Sequence, residues 1–564
     1  MDGDAKMFSF RGVTKISLGL EEAMWIKRKL SNDTFYYVPK NMLEVSCEDS
    51  FQRIKSSCLP YVYVVIKGGV YVTIEASVGL VRAIPIFFSF SSGVLEVHDK
   101  PHRFKELNNV SISKLSLLEF LSFGYVTENR TLLCGIFQLQ AGEVLRVEKK
   151  NGEVSSEYIY DALPIDHKSQ KEQTDELGRI SERVFSSLIK NLKGKIPVIP
   201  LSGGYDSRFI ASMLKLGGID KAICLSYGIP GNFESQISKK IAEKLGFEWH
   251  YIEYKTSKWK KVFQTERFDE YMRFAHVFTS VSCFQEYIST LYFDAINKSY
   301  EKPNYVFLPG HAADFVAGSH LTQSVLTAEN TADIVCSILT KHYRLRKLPA
   351  NNTIEFEVNR QVSEELGIVS DLFKIFELWN WRERQSKFIA NANRIYDYCG
   401  YSWSLPFWNK EFADFWGKIP PALKYMKKLY DEFLENRIFS KLGVDIDREE
   451  RSSRRERKLN ELNSGKTSMR DKLVNAAKYN KYIYNMYRTA RRKLNAPSNP
   501  CAFDTANPFL LRVAKERYFD GYRSMKRLLK TEFPTGRGRD ANSYAAEYIL
   551  SWVLETIGDN IRCE

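Results

Sequence analysis

The chain has 564 residues, 44% of them hydrophobic, and a net charge of +14. That length exceeds one ordinary domain, so two or three are expected, each able to bury a core. Nine cysteines with no C-x-x-C spacing exclude a zinc ribbon, an iron–sulfur site and a disulfide framework.

The first ten residues, MDGDAKMFSF, carry acids and no apolar run, so no signal peptide is expected. Residues 1 to about 160 read as β-rich. VYVVIKGGVYVTIEA is two β-branched runs around a Gly-Gly turn, and IPIFFSFSSGVLEVHD repeats the pattern. Residues 60–90 are the most apolar stretch, but Lys67, Glu75 and Arg82 interrupt them and they alternate like strands. No membrane span is expected there, and a cytoplasmic location follows. A short helix is expected over 113–123. Strands joined by glycine turns follow in GYVTENRTLLCGIFQLQAGEVLRVEKKNGEVSSEYIY, and then a polar linker over 166–176.

From about 175 to 440 the pattern changes to strands alternating with helices. A helix over 176–192 leads to the strand IPVIPL, then KAICLSYG, a helix over 234–245, and WHYIEY. Such alternation predicts a parallel, doubly wound sheet with ligand at the carboxyl ends of the strands. Cys224 and Cys336 lie in apolar surroundings and are expected in the core. Beyond about 440 the composition is helical, interrupted at NAPSNPCAFDTANP. Lys and Arg are densest over 448–493, which reads as a solvated helix surface; an anionic substrate, an acidic partner or a membrane surface are the alternatives.

The most telling segment is the turn Ser202-Gly203-Gly204-Tyr205-Asp206-Ser207, after a buried strand and before a helix. Two glycines let backbone N–H groups approach an anion. Ser202 and Ser207 add hydroxyls, and the helix points its positive end at the same place. Asp206 puts a carboxylate inside this cradle, which makes sense if a divalent cation stands between it and phosphates. The turn reads as a site for Mg-ATP. No lysine follows the glycines, so it is not the G-x-x-x-x-G-K-[ST] loop. A second strand end, Pro309-Gly310-His311-Ala312-Ala313-Asp314, carries another glycine and aspartate.

The SGGYDS turn resembles the pyrophosphate loop of the ATP pyrophosphatases, specifically the asparagine synthetase group. The resemblance extends to VRAIPIFFSF and FGYVTENRTLLCGIFQLQAGEVLRV, which are similar to that family's amino-terminal glutaminase domain. It implies an α/β chain: an Ntn-hydrolase-like, β-rich α+β domain over 1–165; an adenine-nucleotide α-hydrolase-like (PP-loop) parallel-sheet domain over 175–440; and a helical extension over 441–564. It implies that Leu201, Ser202, Gly203, Gly204, Asp206, Ser207 and Gly310 bind ATP and its pyrophosphate. Leu225, Ser226 and Tyr227 stand where the family's backbone meets adenine. Asp206 and Asp314 are the implied Mg²⁺ ligands, with Phe315 in place of a following glutamate.

His311 occupies the position that is acidic in asparagine synthetases and a tyrosine in β-lactam synthetases. It reads either as a proton acceptor for the nucleophile or as a hydrogen-bonding partner of a phosphate or carbonyl. Lys427, Lys428 and Lys458 are candidates for the cation that neutralises the α-phosphate. Near residue 400, Ser404 and Asn409 replace the family's arginine and aspartate, and Arg384 and Lys387 fall near the expected acceptor site. The family's glutaminase uses a cysteine after the initiator methionine. Here Asp2 follows Met1 and the first cysteine is Cys47, so that domain is expected to be an inactive scaffold.

The reading is therefore an ATP-dependent ligase that adenylates a carboxylate and joins it to ammonia or an amine. The nitrogen would come free or from a separate ammonia-supplying subunit. The two loops look most like those of synthetase-like proteins encoded with surface-polysaccharide genes, which implies a sugar uronic acid as acceptor. Asparagine synthesis from aspartate, a tRNA-modifying ATP pyrophosphatase and a non-catalytic nucleotide-binding protein are the alternatives. Neither paired cysteines nor an RNA-binding module is visible, so nucleic acid is not the expected partner.

Overall fold

The computed structural model describes residues 9–449 apart from 46–48, 105–109, 161, 230, 256–258, 284, 298–300, 344, 346–352, 367–368 and 370, together with 541–557 and 561–562. Positions 1–8, Cys47, Lys458, the basic stretch from 450 on and the NAPSNPCAFDTANP segment lie outside the described residues, so the expectations placed on them go no further.

The first half is built from two sheets. One has seven strands: β1 (Ser9–Arg11), β3 (Trp25–Lys29), β4 (Thr34–Pro39), β5 (Tyr61–Lys67), β6 (Val70–Ser77), β11 (Glu143–Glu148) and β12 (Glu153–Tyr158), in the order β1-β12-β11-β6-β5-β4-β3. The other has four: β2 (Lys15–Gly19), β7 (Phe87–Ser91), β8 (Val94–His98) and β10 (Phe137–Gln138), in the order β10-β7-β8-β2. The Gly-Gly signal is a true hairpin: Gly68 and Gly69 have φ of +56° and +76°, the left-handed pair that matches strand twist. Helix α1 (Phe51–Ser56) and helix α2 (Lys114–Phe123) complete this half; the Ser113 hydroxyl caps α2 by accepting from the Ser116 N–H at 3.2 Å.

The second half carries five parallel strands: β13 (Ile196–Pro200), β14 (Ile223–Gly228), β15 (Glu248–Glu253), β16 (Tyr305–Phe307) and β17 (Ser402–Trp403). Their order is β15-β14-β13-β16-β17. The chain winds one way from β13 to β15 and then crosses back, so the direction reverses between β13 and β16. In open parallel sheets ligands bind at such a reversal, outside the carboxyl ends of the strands. Helices α3 (Gln170–Asn191), α4 (Tyr205–Leu216) and α5 (Phe233–Leu245) connect into this sheet.

Two expectations are corrected. The segment read as a linker over 166–176 is already helical from Gln170, because Ser169 and Glu172 form a reciprocal capping box. Cys224 is buried on β14, but Cys336 is exposed: its helix, Thr331–His342, buries Ile334, Val335 and Ile338 and turns Cys336 outward.

The halves are joined by backbone hydrogen bonds. Val126 and Leu132 donate to the carbonyls of Thr279 and Phe278, both at 2.8 Å, and Val281 donates to Gly124 at 2.8 Å. Buried charge adds to the junction: Arg130 meets Glu119 at 2.9 Å and Glu357 at 2.7 Å. A helix at Ala541–Ile557 lies against α2, and a two-residue strand, Ile561–Arg562, pairs in parallel with β9 (Ile112–Ser113). Among the described residues no helix is long and apolar enough to cross a membrane.

His276 sits at the hinge of this junction. It ends the helix Glu266–His276 and is followed by Val277 and Phe278 at φ of +40° and +57°. Its Nδ1 accepts from the Phe278 N–H at 2.9 Å, and its ring meets Trp552 edge-on at 5.2 Å. Burial, reinforced by His102 and Arg273, lowers its pKa to about 3. The folded state holds it neutral, whereas the unfolded chain protonates it near 6.5. Its contribution is present above pH 6.5 and is lost as pH falls toward 3. Denaturant unfolding is expected to show about 2 kcal/mol lost to this group between pH 7 and pH 5, a loss that His276→Gln removes.

Candidate active site

Strand β13 delivers its turn to the point where the sheet reverses. The Ser202 N–H donates to Ser207 Oγ at 3.1 Å, and the Gly204 N–H donates to Ser202 Oγ at 3.0 Å. The two serine oxygens are thus engaged in shaping the turn. Arg208, fully buried, donates to the Gly203 carbonyl at 2.9 Å and is itself anchored on Asp447 Oδ1 at 2.7 Å and the Val444 carbonyl at 3.0 Å. With that carbonyl pulled inward, α4 begins at Tyr205 with Gly204 as its N-cap and no side-chain cap. Its first-turn N–H groups are the ones a bound anion would meet.

The turn after β16 comes against it. A Cβ on Gly310 would stand 2.8 Å from the Ser207 nitrogen and 3.1 Å from Asp206 Cβ, so only glycine permits this approach. Ala312 adopts φ of +73°, an uncommon conformation for a residue with a side chain. The Asp314 N–H donates to Asp206 Oδ2 at 3.1 Å, and the Tyr430 hydroxyl donates to Oδ1 at 3.1 Å. Burial, and then the neighbouring Asp314 carboxylate, push the Asp206 carboxyl up to about 7, against Lys427 and Tyr430. Phe315 packs inward on His320, ring centroids 4.6 Å apart.

Both turns open on a cavity of about 790 Å³. Ser202, Gly204, Asp206, Ser207, Gly310, His311 and Asp314 all line it. Leu201 and Gly203 are buried just behind; a Cβ on Gly203 would come within 3.2 Å of Glu234. Ser226 and Tyr227 are not in this wall. The Ser226 hydroxyl donates to the Leu201 carbonyl at 2.6 Å, and the Tyr227 hydroxyl donates to Glu286 Oε1 at 3.1 Å.

Of the three candidate lysines, Lys427 lines the cavity and Lys428 does not. Met426 and Lys427 are consecutive left-handed residues, φ +54° and +60°. Such a conformation costs about 1–3 kcal/mol per residue and persists only where the surrounding structure holds it, here with Lys427 on the cavity wall. His311 Nδ1 is buried without a hydrogen bond. Burial lowers the His311 pKa, opposed by Glu286 and Asp314, so the imidazole is neutral at pH 7.

Arg384 reaches the cavity from Trp381–Ile389, a π-helical segment that also contributes Gln385 and Phe388. Lys387 does not: it is buried, donating to the carbonyls of Val126 and Glu128 and to Glu383. Ser404 hydrogen-bonds Glu44, and Asn409 caps the helix Lys410–Lys418. Cys283, Glu286, Tyr396 and Lys341 also line the wall, and no sequence motif marks them.

Asp206 and Asp314 are the pair that could hold a metal. Among the described residues no set of three or more His, Cys, Asp or Glu is arranged to do so alone. Two carboxylates suit magnesium, which takes one or two from protein and completes its shell with phosphates and water.

Gly310→Ala is expected to force the two turns apart. Overpacking of this kind costs about 1–3 kcal/mol, so affinity for Mg-ATP, the ligand the turns are expected to take, should fall by about tenfold or more in calorimetry. An affinity equal to wild type would show that the close approach is dispensable.

Comparison with known proteins adds three findings. Residues 197–436 match the family model for asparagine synthase. Over 145 residues the chain is 26% identical to asparagine synthetase (glutamine-hydrolyzing) 1 of Bacillus subtilis (strain 168), a match spanning 25% of this chain and 22% of that protein. The solved structure of NMN synthetase from Francisella tularensis aligns at 15% identity, covering 39% of this chain and 96% of its own, with a TM-score of 0.20, too low for a statement about fold. The family match begins on β13 and takes in both turns, Arg384 and Lys427, so over residues 197–436 the chain is similar to the asparagine synthase family.

Proposed function

We propose that the chain is an ATP-dependent, AMP- and pyrophosphate-forming amide ligase. One observation carries this reading: two strand-end turns with Asp206, Asp314 and Lys427 share one cavity at the reversal point of a parallel sheet. Asp206 and Asp314 would hold Mg²⁺, which when bound supplies charge neutralisation to the phosphates. The first-turn N–H groups of α4 receive the pyrophosphate. Lys427 stabilises charge on the α-phosphate as the acceptor carboxylate attacks it. An amine then attacks the acyl carbon of the adenylate, AMP leaves, and neutral His311 takes a proton.

For the acceptor, Arg384 is suited to pair with its carboxylate or another acidic group. Asn380, Gln385 and Asn542 also line the cavity. The Gln385 amide donates to Asn380 at 3.2 Å, so polar side chains stand beside Arg384 on the π-helical segment; a sugar uronic acid, whose hydroxyls suit such a lining, is preferred over aspartate. Carboxylate-dependent ATP–pyrophosphate exchange, run across a panel of uronic acids, aspartate and simple acids, tests both the reaction and the acceptor. A panel on which nothing stimulates exchange would sink the ligase reading.

Asp206→Asn, Asp314→Asn and Lys427→Ala are each expected to abolish exchange or slow it by about 10²-fold or more. Lys428→Ala should leave it near wild type. Near-normal exchange in both aspartate variants would remove the metal pair from the mechanism.

His311→Ala separates the two roles its position allows. A proton acceptor predicts exchange intact and amide formation slowed by about 10²–10⁴-fold. A phosphate-binding role predicts weaker ATP binding and both steps impaired together.

A further inference from the structure

The cavity wall carries a buried carboxylate that the phosphate chemistry leaves unused. Glu286 precedes the helix Tyr287–Ile296 without capping it through its side chain, is 5% exposed, and lines the cavity beside Cys283 and His311. Each oxygen has a donor: the Tyr227 hydroxyl reaches Oε1 at 3.1 Å and the Cys283 thiol reaches Oε2 at 2.9 Å. Neither donor brings a positive charge. Burial holds the Tyr227 phenol and the Cys283 thiol well above their ordinary ranges, so both stay protonated.

Two buried glutamates at the junction of the halves are met by cationic side chains, whereas Glu143, away from the cavity, is held like Glu286 by neutral donors, from Asn129 and the Gln140 N–H. Glu119 has Arg130 at 2.9 Å, and Glu383 has Lys387 at 2.7 Å. Hydroxyl and thiol donors return only part of the solvation a buried carboxylate loses. Each Glu286 oxygen also keeps acceptor capacity for a second hydrogen bond. A carboxylate so placed, on the wall of a reaction cavity, is matched to a mobile cation with several N–H donors.

We propose that Glu286 binds the nitrogen donor, which enters as ammonium or a primary alkylammonium ion. The proposal rests on the ligase reading above. The proton count of the reaction supports it. R–NH₃⁺ becomes R–NH–C(=O) by losing two protons, so two acceptors are needed. One proton passes to Glu286 as the amine is freed. The nitrogen lone pair forms the C–N bond to the acyl carbon, and the C–O bond to AMP breaks with its electron pair kept by the phosphate oxygen. The second proton goes to His311. Cys283, held protonated, serves as a hydrogen-bond donor rather than a nucleophile.

The first test reads binding without turnover. With magnesium in excess to occupy the aspartate pair, the full-length protein is expected to broaden the NMR signal of ¹⁵N-ammonium. Glu286→Gln should abolish the broadening, and Cys283→Ser, which keeps a donor to Oε2, should retain it. Equal broadening by wild type and Glu286→Gln overturns the proposal. Competition by methylammonium marks an alkylamine donor; its failure to compete marks free ammonia, and either result supports an ammonium site. The second test uses whichever carboxylate stimulates exchange. Glu286→Gln should leave ATP–pyrophosphate exchange unchanged and raise the KM for the amine by about 10- to 100-fold, the loss of a charge-assisted hydrogen bond. An unchanged KM, or exchange and amide formation lost together, overturns the amine role. Absence of exchange in the wild type overturns the ligase reading alone, because ammonium binding is measured independently of it.

Discussion

The contact between the turns after β13 and β16 governs how this site is built. The two strands are hydrogen-bonded neighbours, with Val198 opposite Phe307. Their carboxyl ends therefore emerge side by side, and the chain direction reverses there. Gly310 lets the second backbone come against the first without a Cβ between them. The Asp314 N–H then reaches the Asp206 carboxylate, and two acids share one place. Their repulsion is tolerated because the surrounding core over-determines the geometry: Arg208 pins the Gly203 carbonyl and Tyr430 donates to Asp206. Ala312, Met426 and Lys427, all left-handed without being glycine, sit in the same neighbourhood. Strain stored at a ligand clamp is what such outliers indicate.

The remaining wall shows how the first half of the chain serves the second. Residues 276–281 form the seam between them. They accept and donate backbone hydrogen bonds with 124–132, and directly afterwards the chain presents Cys283 and Glu286 to the cavity. Lys387 ties the π-helical segment to the carbonyls of Val126 and Glu128, which holds the strand of chain bearing Arg384. Whatever chemistry the two-sheet half once supported or still supports, in this fold it braces the cavity. The helix Ala541–Ile557 adds a further tie, with Asn542 at the cavity and Trp552 on His276.

Much of this was legible in the residues themselves. The Gly68-Gly69 hairpin, the alternation of strands and helices after 195, and the chemistry of the SGGYDS turn follow from local rules: glycine in left-handed turns, strand periodicity, and the anion affinity of a helix start. Asp314 is paired with Asp206 in the sequence through the resemblance to the asparagine synthetase group, because a glycine and an aspartate at a strand end are by themselves an ordinary turn. Where local signals misled, a competing local interaction had won. Ser169 and Glu172 started a helix inside a polar stretch. Helical phase turned Cys336 outward, although its neighbours are apolar.

The sequence by itself therefore determined the element types, the parallel sheet and the glycine turn that opens α4, because each depends on residues within a few positions of one another. The tertiary structure alone decided the rest. It separated Lys427 from Lys428 and Arg384 from Lys387, pairs of similar charge only a few residues apart. It also brought Glu286 beside His311, although 25 positions and a whole strand separate them. Which cation faces the cavity depends on backbone conformation and helix phase, and which buried carboxylate lines the cavity depends on how distant segments pack. No local pattern encodes either, since the same side chain in another packing would be a solvated surface charge.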